Sequence, residues 1–76
     1  MPPRDAKTAL QEWAQARGLS LPVYRTTEMS GPAHRPLISV EVRIEGLSPE
    51  TAEGPSRRMA EQAAAAALLA RAQASR

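Results

Sequence analysis

Residues 36–46, PLISVEVRIEG, constrain this chain more than any other stretch of its length. Ile38, Val40, Val42 and Ile44 alternate there with Ser39, Glu41, Arg43 and Glu45. Successive side chains of a strand point to opposite faces, so this segment is a strand with one apolar and one polar face. Such a strand belongs in an antiparallel sheet that is covered on one side and wet on the other. A chain of 76 residues holds one small core and no second one. Phenylalanine is absent and aromatics make up only 3% of the residues, so the cover must be Leu, Ile, Val and Ala around Trp13 and Tyr24. A core this thin leaves no space for a deep substrate cavity and points to binding through the outer surface.

Two helices supply the cover. Asp5 or Pro3 stands before DAKTALQEWAQAR, a run of good helix formers, and Gly18 follows as its stop. At 100° per residue Leu10, Trp13, Ala14 and Arg17 share one arc. Thr8, Gln11, Glu12 and Gln15 gather on the opposite side, a face rich in amides and poor in charge. Next, VYRTTE reads as a first strand and MSGPAHR as a loop broken by Gly31-Pro32. After the long strand, LSPE turns the chain and TAE allows a short third strand. Residues 56 to about 72 then read as a second helix, with Ser56 as its N-cap. Ala60, Ala63, Ala64, Ala67, Leu68 and Arg71 are expected on its packing face, the small alanines allowing close approach. The expected order is α-β-β-β-α, an α+β fold whose two helices lie on one face of a three-stranded antiparallel sheet. Residues 1–4 read as linker, 5–72 as the domain, and 73–76 as a frayed tail.

Several chemistries are excluded. No cysteine means no disulfide, no thiolate nucleophile and no cysteine zinc site, a composition that fits the cytoplasm. The longest apolar run, residues 63–70, is too short to span a bilayer. Residues 1–8, MPPRDAKT, lack the apolar segment of a signal peptide. Glu41, Glu45, Glu50 and Glu53 are dense, but no Asp or His joins them, and their place on a wet strand face and the turn beyond it reads as solvated surface. No Ser-His-Asp set and no phosphate-binding Walker loop is present, so no catalytic centre is expected in this chain. Ten basic against eight acidic side chains, a net charge of +2, give a mild preference for anionic partners.

The order and the motifs together resemble the double-stranded RNA-binding domain, and more narrowly the version at the C-terminus of bacterial ribonuclease III. The resemblance is carried by DAKTALQEW from Asp5, PVY from Pro22, GPAH from Gly31, VEV from Val40 and GPSRRMAEQAAA from Gly54. Such domains grip an A-form duplex along one side, touching two successive minor grooves and the phosphates between them over about 16 base pairs. The resemblance implies that Thr8, Gln11, Glu12 and Gln15 enter one minor groove, the amides serving 2′-hydroxyls and base-edge acceptors. It implies a second minor-groove contact from the Pro32 carbonyl, the His34 imidazole and Arg35. Ser56, Arg57 and Arg58 would meet phosphates across the major groove, where a helix N-terminus already favours anions. Arginines at that position oppose the helix dipole, so their presence calls for a reason other than helix stability.

Two departures lower the positive charge. Pro55 replaces a residue that is basic in many members, and Glu61 replaces a lysine, although glutamate is common there in the ribonuclease III branch. The expectation is modest affinity for duplex RNA, poor competition by B-form DNA, and a monomeric domain that needs no cofactor. In the parent nuclease, for which monomer and dimer both stay open, Mg²⁺ would serve the catalytic part that this chain lacks. The alternative is a protein-interaction or dimerisation module of the same fold, with weak RNA binding.

Overall fold

A computed structural model describes residues 5–74, and the expected linker at residues 1–4 and the last two residues of the expected tail lie outside them. The order is α1 (Ala6–Ala16), β1 (Val23–Ser30), β2 (Leu37–Arg43), β3 (Glu50–Gly54) and α2 (Arg57–Ala74). The sheet is antiparallel throughout, with β2 between β1 and β3. This is the α-β-β-β-α arrangement that the alternation and the two helical stretches imply.

Why the helices begin and end where they do follows from their caps. The Asp5 carboxylate accepts from the Lys7 backbone N–H at 2.9 Å, and so satisfies one of the free donors of the first turn. At the other end the Gly18 N–H reaches Gln15 O at 3.1 Å and the Leu19 N–H reaches Ala14 O at 2.9 Å. That paired reach-back closes the helix and turns Leu19 onto the core beside Ala14. In α2 the Ser56 hydroxyl accepts from the Met59 N–H at 3.1 Å, making Ser56 the N-cap. The helix continues to Ala74, so Gln73 and Ala74 of the expected tail are helical.

Ile38, Val40 and Val42 face the helices, and Ile44 joins them just past the strand end. All four are buried, the least of them at 8% exposure. Leu10, Ala14, Ala64, Ala65 and Leu68 close over Val42 and Ile44, while Ala60 closes over Ile38 and Val40. The aromatics do not form the centre of this core. Trp13 and Tyr24 are only half-buried and pack around its rim, leaving Leu10, Ile44, Leu68, Val40 and Val42 as the largest fully enclosed side chains. The packing face of α2 is also rotated from expectation. Ala63 is exposed, whereas Glu61 and Ala65 are buried, because α2 must meet α1 as well as the sheet.

On the outer face the wet side is drier than its sequence implies. Ser39 is 8% exposed, since β2 is central and Ser39 lies between Glu28 and Glu53 on its two neighbours. Strand β1 runs two residues further than VYRTTE, to Ser30, with a bulge between Thr26 and Glu28. Met29 and Ser30 therefore pair with Ile38 and Leu37 and do not belong to the loop.

Candidate nucleic-acid interface

The strand register decides which loops meet. Ser30 pairs with Leu37 and Ile38 with Gly54. The β1–β2 loop and the turn from β3 into α2 therefore leave the sheet at the same end. The helices bring α1 to that end too. The Gln62 side-chain oxygen accepts from the Ala6 N–H at 2.8 Å and the Lys7 N–H at 3.4 Å, and its amide donates to Asp5 Oδ1 at 2.5 Å. A residue one turn into α2 thus finishes the cap of α1, and the two helix N-termini lie side by side. The Gln62 bond, followed by the Lys7 and Thr8 backbone N–H groups and the charge of Arg58, holds the Asp5 carboxyl below its usual range.

Along α1, Thr8, Gln11, Glu12 and Gln15 are all exposed and recur at the spacing of one helix face. Leu10 and Ala14 face the core on the other side. In the loop, Pro32, His34 and Arg35 are exposed. The Pro32 carbonyl accepts from the Arg35 N–H at 2.8 Å. One of its lone pairs is therefore used within the turn and one remains for an outside donor. Gly31 starts this turn with φ +83, and a Cβ there would come within 2.7 Å of Arg35 O. Only glycine fits that geometry without moving the loop.

At the start of α2, Arg57 and Arg58 are exposed and Ser56 is half-buried beneath them. Arg58 forms no ion pair among the described residues, whereas Arg57 donates from Nε to Glu61 Oε2 at 2.8 Å. Lys7 reaches the other oxygen of the same carboxylate at 2.6 Å, and its ammonium lies 4.8 Å from the centre of the Tyr24 ring. The Lys7 hydrogen bond, with Arg57 adding to it, holds the Glu61 carboxyl below its usual range against the opposing effect of burial. Glu61 is thus a buried junction between the two helices and is not exposed on the clamp surface.

Sequence reasoning brought out the exposed members of this surface and missed Lys7, Gln62 and the role of Glu61. Lys7 and Gln62 find their partners more than fifty positions away along the chain, where no local pattern signals a pairing, and of the two partners of Glu61 just Arg57 lies at the i,i+4 spacing of one helix.

The acidic side chains of the sheet have other partners. Glu41 lies within 2.9 Å of Arg43 and 3.5 Å of Arg25, Glu50 within 2.7 Å of Arg71, and Glu53 within 3.3 Å of the Ser39 hydroxyl. Arg71 also donates to the Pro49 and Ser48 carbonyls and so pins the β2–β3 loop to α2. Among the described residues no three acidic or histidine side chains gather as a metal-ligand group, and no helix is long and apolar enough to cross a membrane.

Comparison with known proteins agrees with this fold. Residues 6–71 match the family model of the double-stranded RNA binding motif. Ribonuclease 3 of Caulobacter vibrioides is 56% identical over 69 residues, which is 91% of this chain and 30% of that protein. Ribonuclease 3 of Cereibacter sphaeroides is 59% identical over 68 residues, 90% of this chain and 30% of its own length. The chain therefore spans less than a third of these curated relatives. Among solved structures, Arabidopsis HYL1 superposes with a TM-score of 0.72 at 36% identity, covering 91% of this chain and 99% of that one. DRB4 dsRBD2 gives 0.66 at 32% identity, covering 88% and 93%. With the helix caps, the sheet order and the family match in agreement, this chain belongs to the double-stranded RNA-binding motif family and is homologous to a segment of bacterial ribonuclease 3.

Proposed function

We propose that this domain binds double-stranded RNA by its A-form shape and serves as the substrate-holding segment of a ribonuclease III-like endoribonuclease in the cytoplasm. The observation that carries the reading is the shared end of the fold. The start of a polar helix face, an exposed Gly-Pro-x-His loop and a basic helix start all lie at that end. Thr8, Gln11, Glu12 and Gln15 would line one minor groove, with Pro32, His34 and Arg35 reaching the next. Ser56, Arg57 and Arg58 would meet the phosphates between them. Amides and a carboxylate on α1 suit 2′-hydroxyls, which both donate and accept, better than they suit phosphate. Cutting, with its Mg²⁺, would fall to the part of such a nuclease that this chain does not span, and the binding step itself asks for no cofactor and no second copy of the domain.

The test is a competition titration of the purified chain with duplexes of matched length. An RNA duplex should bind, and a B-form DNA duplex should compete at least tenfold less well, since it lacks the 2′-hydroxyls and the groove spacing. Arg57→Ala combined with Arg58→Ala should weaken binding by roughly two orders of magnitude, the loss of two charge-assisted contacts. Equal competition by DNA would remove the role given to the α1 face. Unchanged affinity in the double variant would remove the phosphate clamp.

A further inference from the structure

We infer that Glu61 is a positioning residue for RNA binding, fixing Arg57 and the start of α1 so that the clamp and the minor-groove helix keep a set spacing. This rests on the duplex-binding reading above and adds to it a residue that would touch no RNA. In sequence Glu61 reads as a loss, an acid where many relatives carry a base. The structure gives it a different place. It is buried at 9% exposure, and each of its oxygens takes one cation, Lys7 from α1 and Arg57 from α2.

The consequence for Arg57 is geometric. A guanidinium has five N–H donors in a rigid plane, and Glu61 takes only the one on Nε. Nη1 and Nη2 make no hydrogen bond among the described residues, and the side chain is 60% exposed. Holding one edge of the plane leaves the other edge, the one suited to two phosphate oxygens, in a single orientation. A free arginine would surrender side-chain freedom on binding, and here that ordering is already done. On the other oxygen, Lys7 carries the same constraint into α1 one residue before Thr8. Gln62, the next residue, ties the backbone of Ala6 and Lys7 to the same turn of α2. Glu61 and Gln62 therefore set how far the polar face of α1 stands from the arginines.

Two readings of Glu61 predict opposite signs. If it only lowers the local charge, removing that charge should tighten RNA binding. If it positions Arg57, removing it should loosen binding although the net charge rises. The experiment is duplex RNA titration of the 76-residue chain as wild type, Glu61→Gln, Arg57→Lys and Arg57→Ala, with thermal melts confirming the fold of each. Glu61→Gln should bind about tenfold more weakly than wild type, the scale of one mis-set charged contact. Arg57→Lys keeps the charge at an exposed position but spends its ammonium on Glu61, so it should bind nearly as weakly as Arg57→Ala. In the Arg57→Ala background, Glu61→Gln should cost less than it does in wild type, because of the two groups it positions only Lys7 remains. Equal or tighter binding by Glu61→Gln, or wild-type binding by Arg57→Lys, overturns the inference while leaving duplex binding intact. Absence of binding by the wild type would instead sink the functional reading itself. If Glu61→Gln melts early, the Arg57→Lys comparison and ¹⁵N relaxation of the wild-type Arg57 Nε–H decide the matter. An Nε–H as mobile as that of Arg58 would refute the positioning role.

Discussion

At the scale of single residues, most of the proposed surface is legible and most of the support beneath it is not. Thr8, Gln11, Glu12 and Gln15 announce themselves by spacing, because a helix repeats its faces within a few residues. Tyr24 shows the opposite case. It reads as a core aromatic, yet it stands at the rim under Lys7, and its hydroxyl, though enclosed, finds no protein partner among the described residues. Burial, then the nearby charges of Glu61 and Asp5, push its ionisation up to about 12. The ordinary tyrosine value in an unfolded chain is about 10. The raised value means that the folded state keeps a proton the unfolded state has lost, so stability is full below about pH 10 and falls as pH rises towards the folded value. Tyr24→Phe removes the titrating group. Urea titrations at pH 9 and 11 should show a smaller loss for that variant than for wild type, and parallel losses would show that Tyr24 does not contribute.

At the scale of elements, the decisive contact is β3 against α2. Gly54 is buried at the end of β3, and a Cβ there would come within 2.8 Å of Ala60 N and 3.1 Å of Met59 C. These are backbone atoms of a helix and cannot swing aside as a side chain would. Gly54→Ala should force α2 away from the sheet and cost about 1–3 kcal/mol, the usual range for overpacking. In a domain of this size that is a fall of roughly 4–8 °C in melting temperature per kcal/mol, measurable by circular dichroism. A melting temperature within a degree of wild type would show that the approach of helix to strand is softer than it looks. The glycine was visible in sequence as part of the GPSRR motif, but its reason was not. The reason is an approach between backbones, which leaves no pattern in the residues that make it. The rotated packing face of α2 has a similar origin. Periodicity alone names an apolar stripe, and a second neighbour, α1, draws Glu61 and Ala65 inward in place of Ala63.

At the scale of the whole molecule, charge should govern how duplex binding responds to salt. The net charge is only +2, Lys7 is drawn inward to Glu61, and Arg25, Arg43 and Arg71 are paired with Glu41 and Glu50. Arg17 lies over the Trp13 ring at 4.7 Å, which leaves Arg35, Arg57 and Arg58 as the cations of the proposed surface. With about 0.9 of a counterion released per neutralised phosphate, the plot of log affinity against log salt should have a slope of roughly −3 or shallower. Fluorescence anisotropy across a salt series checks this directly. A slope near −6 would require cations beyond those of the proposed surface and would move the interface elsewhere.

The sequence by itself determined the order of elements, the apolar face of β2, the cap Ser56, and the exposed groups of the candidate interface. Each of these is set by neighbours within a few positions, through strand alternation, helix periodicity or the needs of free backbone donors. Only the tertiary structure decided that Glu61 also takes Lys7, that Gln62 completes the cap of α1, and that the β1–β2 loop and the starts of α1 and α2 lie at one end of the fold. These are contacts between segments far apart in the chain. They depend on strand register and on the distance of helix from sheet, and so they exist only once the domain has closed.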